Sequence, residues 1–224
     1  SDSMKTVIEF LDDLARNNDR DWFEAHRDRY VEAKRRFDEF AERYIAAVAA
    51  FDPSVAGLAL KDATYRIYRD TRFSADKSPY KTYMGVFACP RGKKSGNAGY
   101  YLHIEPATNT YLLCSGLYPQ PAGVLRSIRE EIMTDGEAFE SAVKAAAGFD
   151  FDWQTAYKRM PRGCDPEDEY SKYYLLRDFC LNKYFDREYA SAPDFLDRAV
   201  EELSRTRRYT DTLNRCIEYA REMG

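Results

Sequence analysis

The sequence predicts an α+β fold: a mainly antiparallel sheet flanked by N-terminal, middle and C-terminal helices. Three observations carry this. Apolar residues recur at helical spacing over both ends and the middle of the chain. Four short segments between 65 and 115 read as strands. The connections between those segments are too short for a crossover helix, so neighbouring strands must run antiparallel.

In chain order, Val7, Ile8, Leu11, Leu14 and Ala15 mark a helix over 5–16. Asn17 and Asn18 stop it, since Asn tolerates a left-handed turn, and Asp19 can cap the next helix. Trp22, Phe23, His26, Tyr30, Phe37, Phe40, Tyr44, Ile45 and Val48 then keep helical spacing up to Asp52-Pro53. Trp22 and Phe23 are read as core anchors and His26 as a packing histidine. Residues 65–69 read as a strand with Ile67 and Arg69 on one face and Arg66 and Tyr68 on the other. Residues 70–79 form a turn-rich connection to a strand at 83–89, and 90–98 is a polar loop. Strands at 100–105 and 111–115 form a hairpin, with Leu102 and Ile104 facing the helices and Tyr101, His103 and Glu105 facing away. Helices follow over 122–133 and 137–147, parted at Asp135-Gly136. Residues 149–153 read as a short strand, 175–184 as a short helix running into a strand, and 194–207 and 210–223 as closing helices.

A chain of 224 residues, 44% hydrophobic and 32% charged, fits one globular α+β domain, here residues 4–224. Ser1-Asp2-Ser3 ahead of Met4 reads as a cloning remnant. A net charge of -4 argues against general affinity for nucleic acid or an anionic membrane. No apolar run is long enough to span a bilayer and no signal peptide opens the chain, so a cytoplasmic location is expected. The five cysteines contain no C-x-x-C pair, which suits buried thiols in a reducing compartment. No cofactor or metal is indicated.

The stretch 65–82, YRIYRDTRFSADKSPYKT, concentrates the chemistry. Arg66, Arg69, Arg72, Lys77 and Lys81 alternate with aromatic rings, a pattern suited to a phosphate or carboxylate. The bland alternative is that these cations pair with Asp70 and Asp76 to hold an ordered loop. GKKS at 92–95 is not a Walker loop, because Phe87 stands where that motif needs its leading Gly. His103 and Glu105 leave one face of a strand and could serve proton transfer. Without a downstream P-C-x-x-C they are no zinc deaminase signature.

NNDRDWF at 17–23, the stretch 65–82, GYYLHIEP at 99–106 and GLYPQP at 116–121 resemble an uncharacterised, largely bacterial family, the domain of unknown function numbered 2461. The resemblance spans nearly the whole chain. It implies a single α+β domain and brings no activity, cofactor or catalytic residue.

Two functions of different class remain. In the first, Arg69, Arg72 and Lys81 hold a small, phosphorylated anion, with Arg66 and Lys77 nearby. Tyr68 then positions the ligand, and His103 with Glu105 supplies acid–base chemistry. In the second, the chain is a non-catalytic interaction domain with structural arginines and an aromatic face for a protein or nucleic-acid partner. Arg72 and His103 in one pocket would favour the first; separate placement would favour the second.

Overall fold

In the computed structural model, which describes residues 3–224, four strands lie side by side in one antiparallel sheet. They are β1 (Met84–Ala88), β2 (Gly99–Glu105), β3 (Thr110–Gly116) and β4 (Leu181–Phe185), in the order β1-β2-β3-β4. The expectation for Ser1 and Asp2 lies outside the described residues. Register pairs Val86 with Leu102, Leu102 with Leu113, and Leu113 with Lys183. The neighbouring row runs Gly85, His103, Leu112, Tyr184. Paired residues share a face, so each row belongs to one side of the sheet. Leu102 and Ile104 are fully buried and Tyr184 is exposed, so the expected orientation of the hairpin holds.

The helices fall where the apolar spacing placed them: α1 (Ser3–Arg16), α2 (Arg20–Ala25), α3 (Arg27–Phe51), α4 (Ala122–Ala145), α5 (Ser171–Tyr174), α6 (Arg187–Ser191), α7 (Phe195–Ser204) and α8 (Arg207–Met223). Helices α3, α7 and α8 are tied to the buried row by side chains. Tyr44 Oη donates to the Tyr100 carbonyl (2.8 Å), Ser115 Oγ meets Thr210 Oγ1 (2.6 Å), and Lys183 pairs with Glu202. One apolar cluster runs from Met4 on α1 to Ile217 on α8. Among the described residues no helix is long and apolar enough to cross a membrane. Four of the five cysteines are buried and all five are free thiols.

Several local expectations need correction. Residues 65–69 are no sheet strand. Only single bridges form, Thr64 with Val86 and Tyr68 with Tyr80. The bonds Arg69 N to Pro79 O (2.9 Å) and Lys81 N to Ile67 O (2.7 Å) pair the segment with its own loop. Pro79 has no N–H to extend that ladder. Residues 149–153 likewise make one bridge, Asp150 with Asn182, before a 3-10 turn at Trp153–Thr155.

Asn17 does not end α1 through a left-handed turn; its Nδ2 donates to the Asp13 carbonyl (2.9 Å). Among the described non-glycine residues only Arg91 and Asn109 have positive φ, and Asn109 closes the β2–β3 turn. The long N-terminal helical stretch breaks at His26, whose Nδ1 contacts the Trp22 carbonyl (2.7 Å) and whose ring stacks on Trp22. Phe23 therefore takes the buried position and Trp22 stays half-buried. Helix α4 runs through the expected break with only a kink at Asp135 (φ -148°, ψ 67°). Gly136 is required there: a Cβ would lie 2.1 Å from the Tyr170 ring.

Candidate functional site

The stretches 17–23 and 65–82 meet in space. Asp19 caps α2 by accepting from Trp22 N (2.8 Å), which fixes where the helix starts and places Arg20 in its first turn. Asn18 reaches across the gap with both ends of its amide. Its Nδ2 donates to the Tyr80 carbonyl (2.9 Å) and its Oδ1 accepts from Tyr80 N (3.1 Å). Tyr80 is buried and stacks on Phe23 at 4.1 Å. Together these contacts leave a cleft of about 1210 Å³ whose walls include Arg20, Arg66, Tyr68, Arg69 and Lys77.

Within this cleft the cations have different tasks. Arg69 is the loop's internal clamp: Nη1 donates to the carbonyls of Asp76 (3.1 Å) and Ser78 (2.8 Å). It also lies 3.5 Å from the Asp76 carboxylate. Lys77 Nζ donates to the Thr71 carbonyl (2.7 Å) and closes the loop from the other side. Arg66 and Arg20 differ. Among the described residues neither forms an ion pair or a side-chain hydrogen bond, and both are exposed. Arg66 lies over the half-open ring of Tyr68, 6.0 Å from its centroid. On the helical wall Glu24 is taken up by Arg27 (3.0 Å), so it offsets little of this charge.

The remaining expected residues lie elsewhere. Arg72 sits outside the cleft and makes a two-point pair with Asp70 (3.0 and 2.8 Å). Both partners are largely exposed, so it neither faces a site nor strands a buried charge. Lys81 lies 5.9 Å from the centroid of the Tyr65 ring. Burial pushes its ammonium below the usual lysine value, and the nearby Arg66 and Lys93 add to that. Arg69, Arg72 and Lys81 therefore do not converge on one anion, and Arg72 shares no cleft with His103.

His103 and Glu105 form part of an internal row along β2. Tyr101 Oη lies 2.5 Å from His103 Nδ1, and His103 Nε2 lies 2.9 Å from Glu105 Oε1. Thr82 Oγ1 donates to Glu105 Oε2 (2.6 Å). The hydrogen bond from His103 holds the Glu105 carboxyl below the usual carboxylate range, against the effect of burial. Burial pushes the Tyr101 phenol up, so it keeps its proton. The tautomer follows: Nε2–H donates to the carboxylate and Nδ1 accepts from the phenol. Tyr83 stacks on the imidazole at 4.6 Å. Gly85 makes the row possible, since a Cβ there would lie 2.6 Å from Tyr101 Oη. Each of these side chains already has a partner.

Arg20 escaped the sequence reading. The signal for it was Asp19: a capping residue on one stretch fixes the wall onto which its successor projects.

Comparison with known proteins returns one family. Residues 6–211 match the family model described as "Conserved hypothetical protein (DUF2461)". No curated protein and no solved structure matches the chain.

Proposed function

We propose that this chain, a member of the DUF2461 family of conserved hypothetical proteins, binds a small ligand with one phosphate or carboxylate group in the cleft between α2 and the loop 65–82. The observation that carries this reading is the pair Arg20 and Arg66. They come from two of the stretches by which the family is recognised, they line one cleft, and neither has an acidic partner among the described residues. Guanidinium groups match a phosphate or carboxylate with two parallel N–H donors, and two of them on opposite walls suit one such group. Arg69 and Lys77 keep the loop wall in shape, and Tyr68 offers a ring face and a hydroxyl to the rest of the ligand. Asp21 on the helical wall disfavours a large polyanion, so the ligand is small. In this reading His103 and Glu105 hold the open face of the sheet and take no part in the site.

The test is a thermal unfolding series with inorganic phosphate and small phosphorylated metabolites. A ligand at one hundred times its dissociation constant stabilises the fold by about 2.7 kcal/mol. Wild-type protein should show a raised midpoint. Arg20→Ala and Arg66→Ala should each lose most of that shift while unfolding, ligand-free, where the wild type does. An unshifted wild type across the series would overturn the reading and leave the non-catalytic interaction domain in its place.

A further inference from the structure

A second cleft, of about 860 Å³, lies where the end of α3, the loop 90–98 and α8 meet. Its lining includes Asp52, Arg91, Arg207, Asp211, Arg215 and Arg221. Asn214 on α8 pins the loop, accepting from Ala98 N (2.8 Å) and donating to the Ala98 carbonyl (3.1 Å). Buried Asn97 stiffens it further: Oδ1 accepts from Arg91 Nη2 (2.9 Å) and Nδ2 donates to Asn214 Oδ1 (3.1 Å).

Asp52 is only 4% exposed yet lines this cleft. Its Oδ1 accepts from Ser54 N (3.1 Å) and Ser54 Oγ (2.6 Å), and its Oδ2 from Tyr100 Oη (2.8 Å). A carboxylate has about four acceptor positions, so one is still open. Burial pushes the neighbouring Asp211 carboxyl above its usual range despite Arg207 at 3.5 Å, and Asp52 adds to the rise. Arg207 donates to the Phe51 carbonyl, while its buried Nε has no hydrogen-bond partner. Among the described residues Arg91, Arg215 and Arg221 have no carboxylate within ion-pair distance, and Arg215 donates only to Thr212 on its own helix (3.2 Å).

We propose that this cleft is a second ligand site that takes a small polyol phosphate, with the phosphate among Arg91, Arg215 and Arg221 and a hydroxyl donating to Asp52. Three guanidiniums without acids call for an anion. An acceptor-only carboxylate beside them repels a bare anion and rewards one that carries a donor. The inference stands apart from the α2 cleft, because no lining residue is shared.

Calorimetric titration with glycerol 3-phosphate tests it, using full-length protein in which Arg20→Ala and Arg66→Ala silence the other cleft. Binding should persist in that protein and tighten by about tenfold relative to inorganic phosphate, which is 1.4 kcal/mol. Adding Arg215→Ala should weaken it by at least about tenfold, and Asp52→Asn should erase the preference for the polyol. If the Asp52 variant does not fold, the glycerol 3-phosphate to phosphate ratio in the parent protein decides the same point. A ratio near one, no heat at about 10 mM ligand, or binding that survives Arg215→Ala would overturn the proposal.

Discussion

The two clefts are closed by the same device and differ in what they do with their charges. At each, an asparagine side chain pairs with both backbone groups of one loop residue: Asn18 with Tyr80, Asn214 with Ala98. In the first cleft the loop uses most of its cations on itself. Arg69 and Lys77 bind carbonyls of the loop, and Arg72 binds Asp70. In the second, the cations come from α8 and the loop 90–98, and a buried carboxylate lies among them. The number of cations in a stretch is therefore a poor guide to the number a ligand can use. Cations left without a partner define a site, and at both clefts they come from segments far apart in sequence.

The largest expected effect breaks the comparison from below. Phe23 supports the first cleft through its stack on Tyr80 and is almost fully buried. Phe23→Ala should cost about 3–5 kcal/mol by urea unfolding, because it removes a core aromatic and the floor of the cleft together. Next come the two asparagines. Each makes two hydrogen bonds to backbone groups, worth about 0.5–1.5 kcal/mol apiece, so Asn18→Ala and Asn214→Ala should each cost about 1–3 kcal/mol. Hydrogen exchange should then rise at 65–82 in the first variant and at 90–98 in the second. Crossed effects would break the equivalence of the two clasps.

Arg69→Ala should cost about 1–2 kcal/mol and loosen 70–79, since it removes charged donors from two carbonyls that are only partly open to water. Arg66→Ala should leave the urea midpoint where it was. The contrast between those two variants sharpens the division of labour within the first cleft.

A smaller effect concerns the sheet row that belongs to neither cleft. Glu105 has a folded-state pKa below its unfolded one. Its contribution is thus present above the unfolded carboxylate value of about 4.3 and is lost as pH falls through the lower folded value. Glu105→Gln should flatten the acid limb of a stability-against-pH curve below about pH 4. An acid limb unchanged by that substitution would show that the row adds nothing to the fold. The smallest effect is expected at Arg72: with its pair to Asp70 on the surface, Arg72→Ala should change neither midpoint nor ligand response.

The sheet was legible in the sequence because alternation and short connections leave one pairing. Leu102 and Ile104 could face only the helices once 100–115 was a hairpin. The segment at 66–69 misled because alternation looks the same in a sheet strand and in a loop paired with itself; Pro79 on the partner side decided it. The cations of 65–82 could be named but not sorted. What separates Arg66 from Arg69 is the set of carbonyls each reaches, and that depends on how 70–79 folds back. The second cleft was illegible for a related reason. Arg207, Asp211, Arg215 and Arg221 read along the chain as the solvated side of a helix, and only the arrival of Asp52 and the loop 90–98 makes them a lining.

The central claim, that Arg20 and Arg66 together hold one anion, is tested most directly by crystals soaked in tungstate, a heavy analogue of phosphate. Anomalous density should lie between the two guanidiniums at hydrogen-bonding distance from both, in the cleft floored by Tyr80, and should vanish in the Arg66→Ala protein. Density at Arg72 or Lys81 with none between Arg20 and Arg66 would contradict the account.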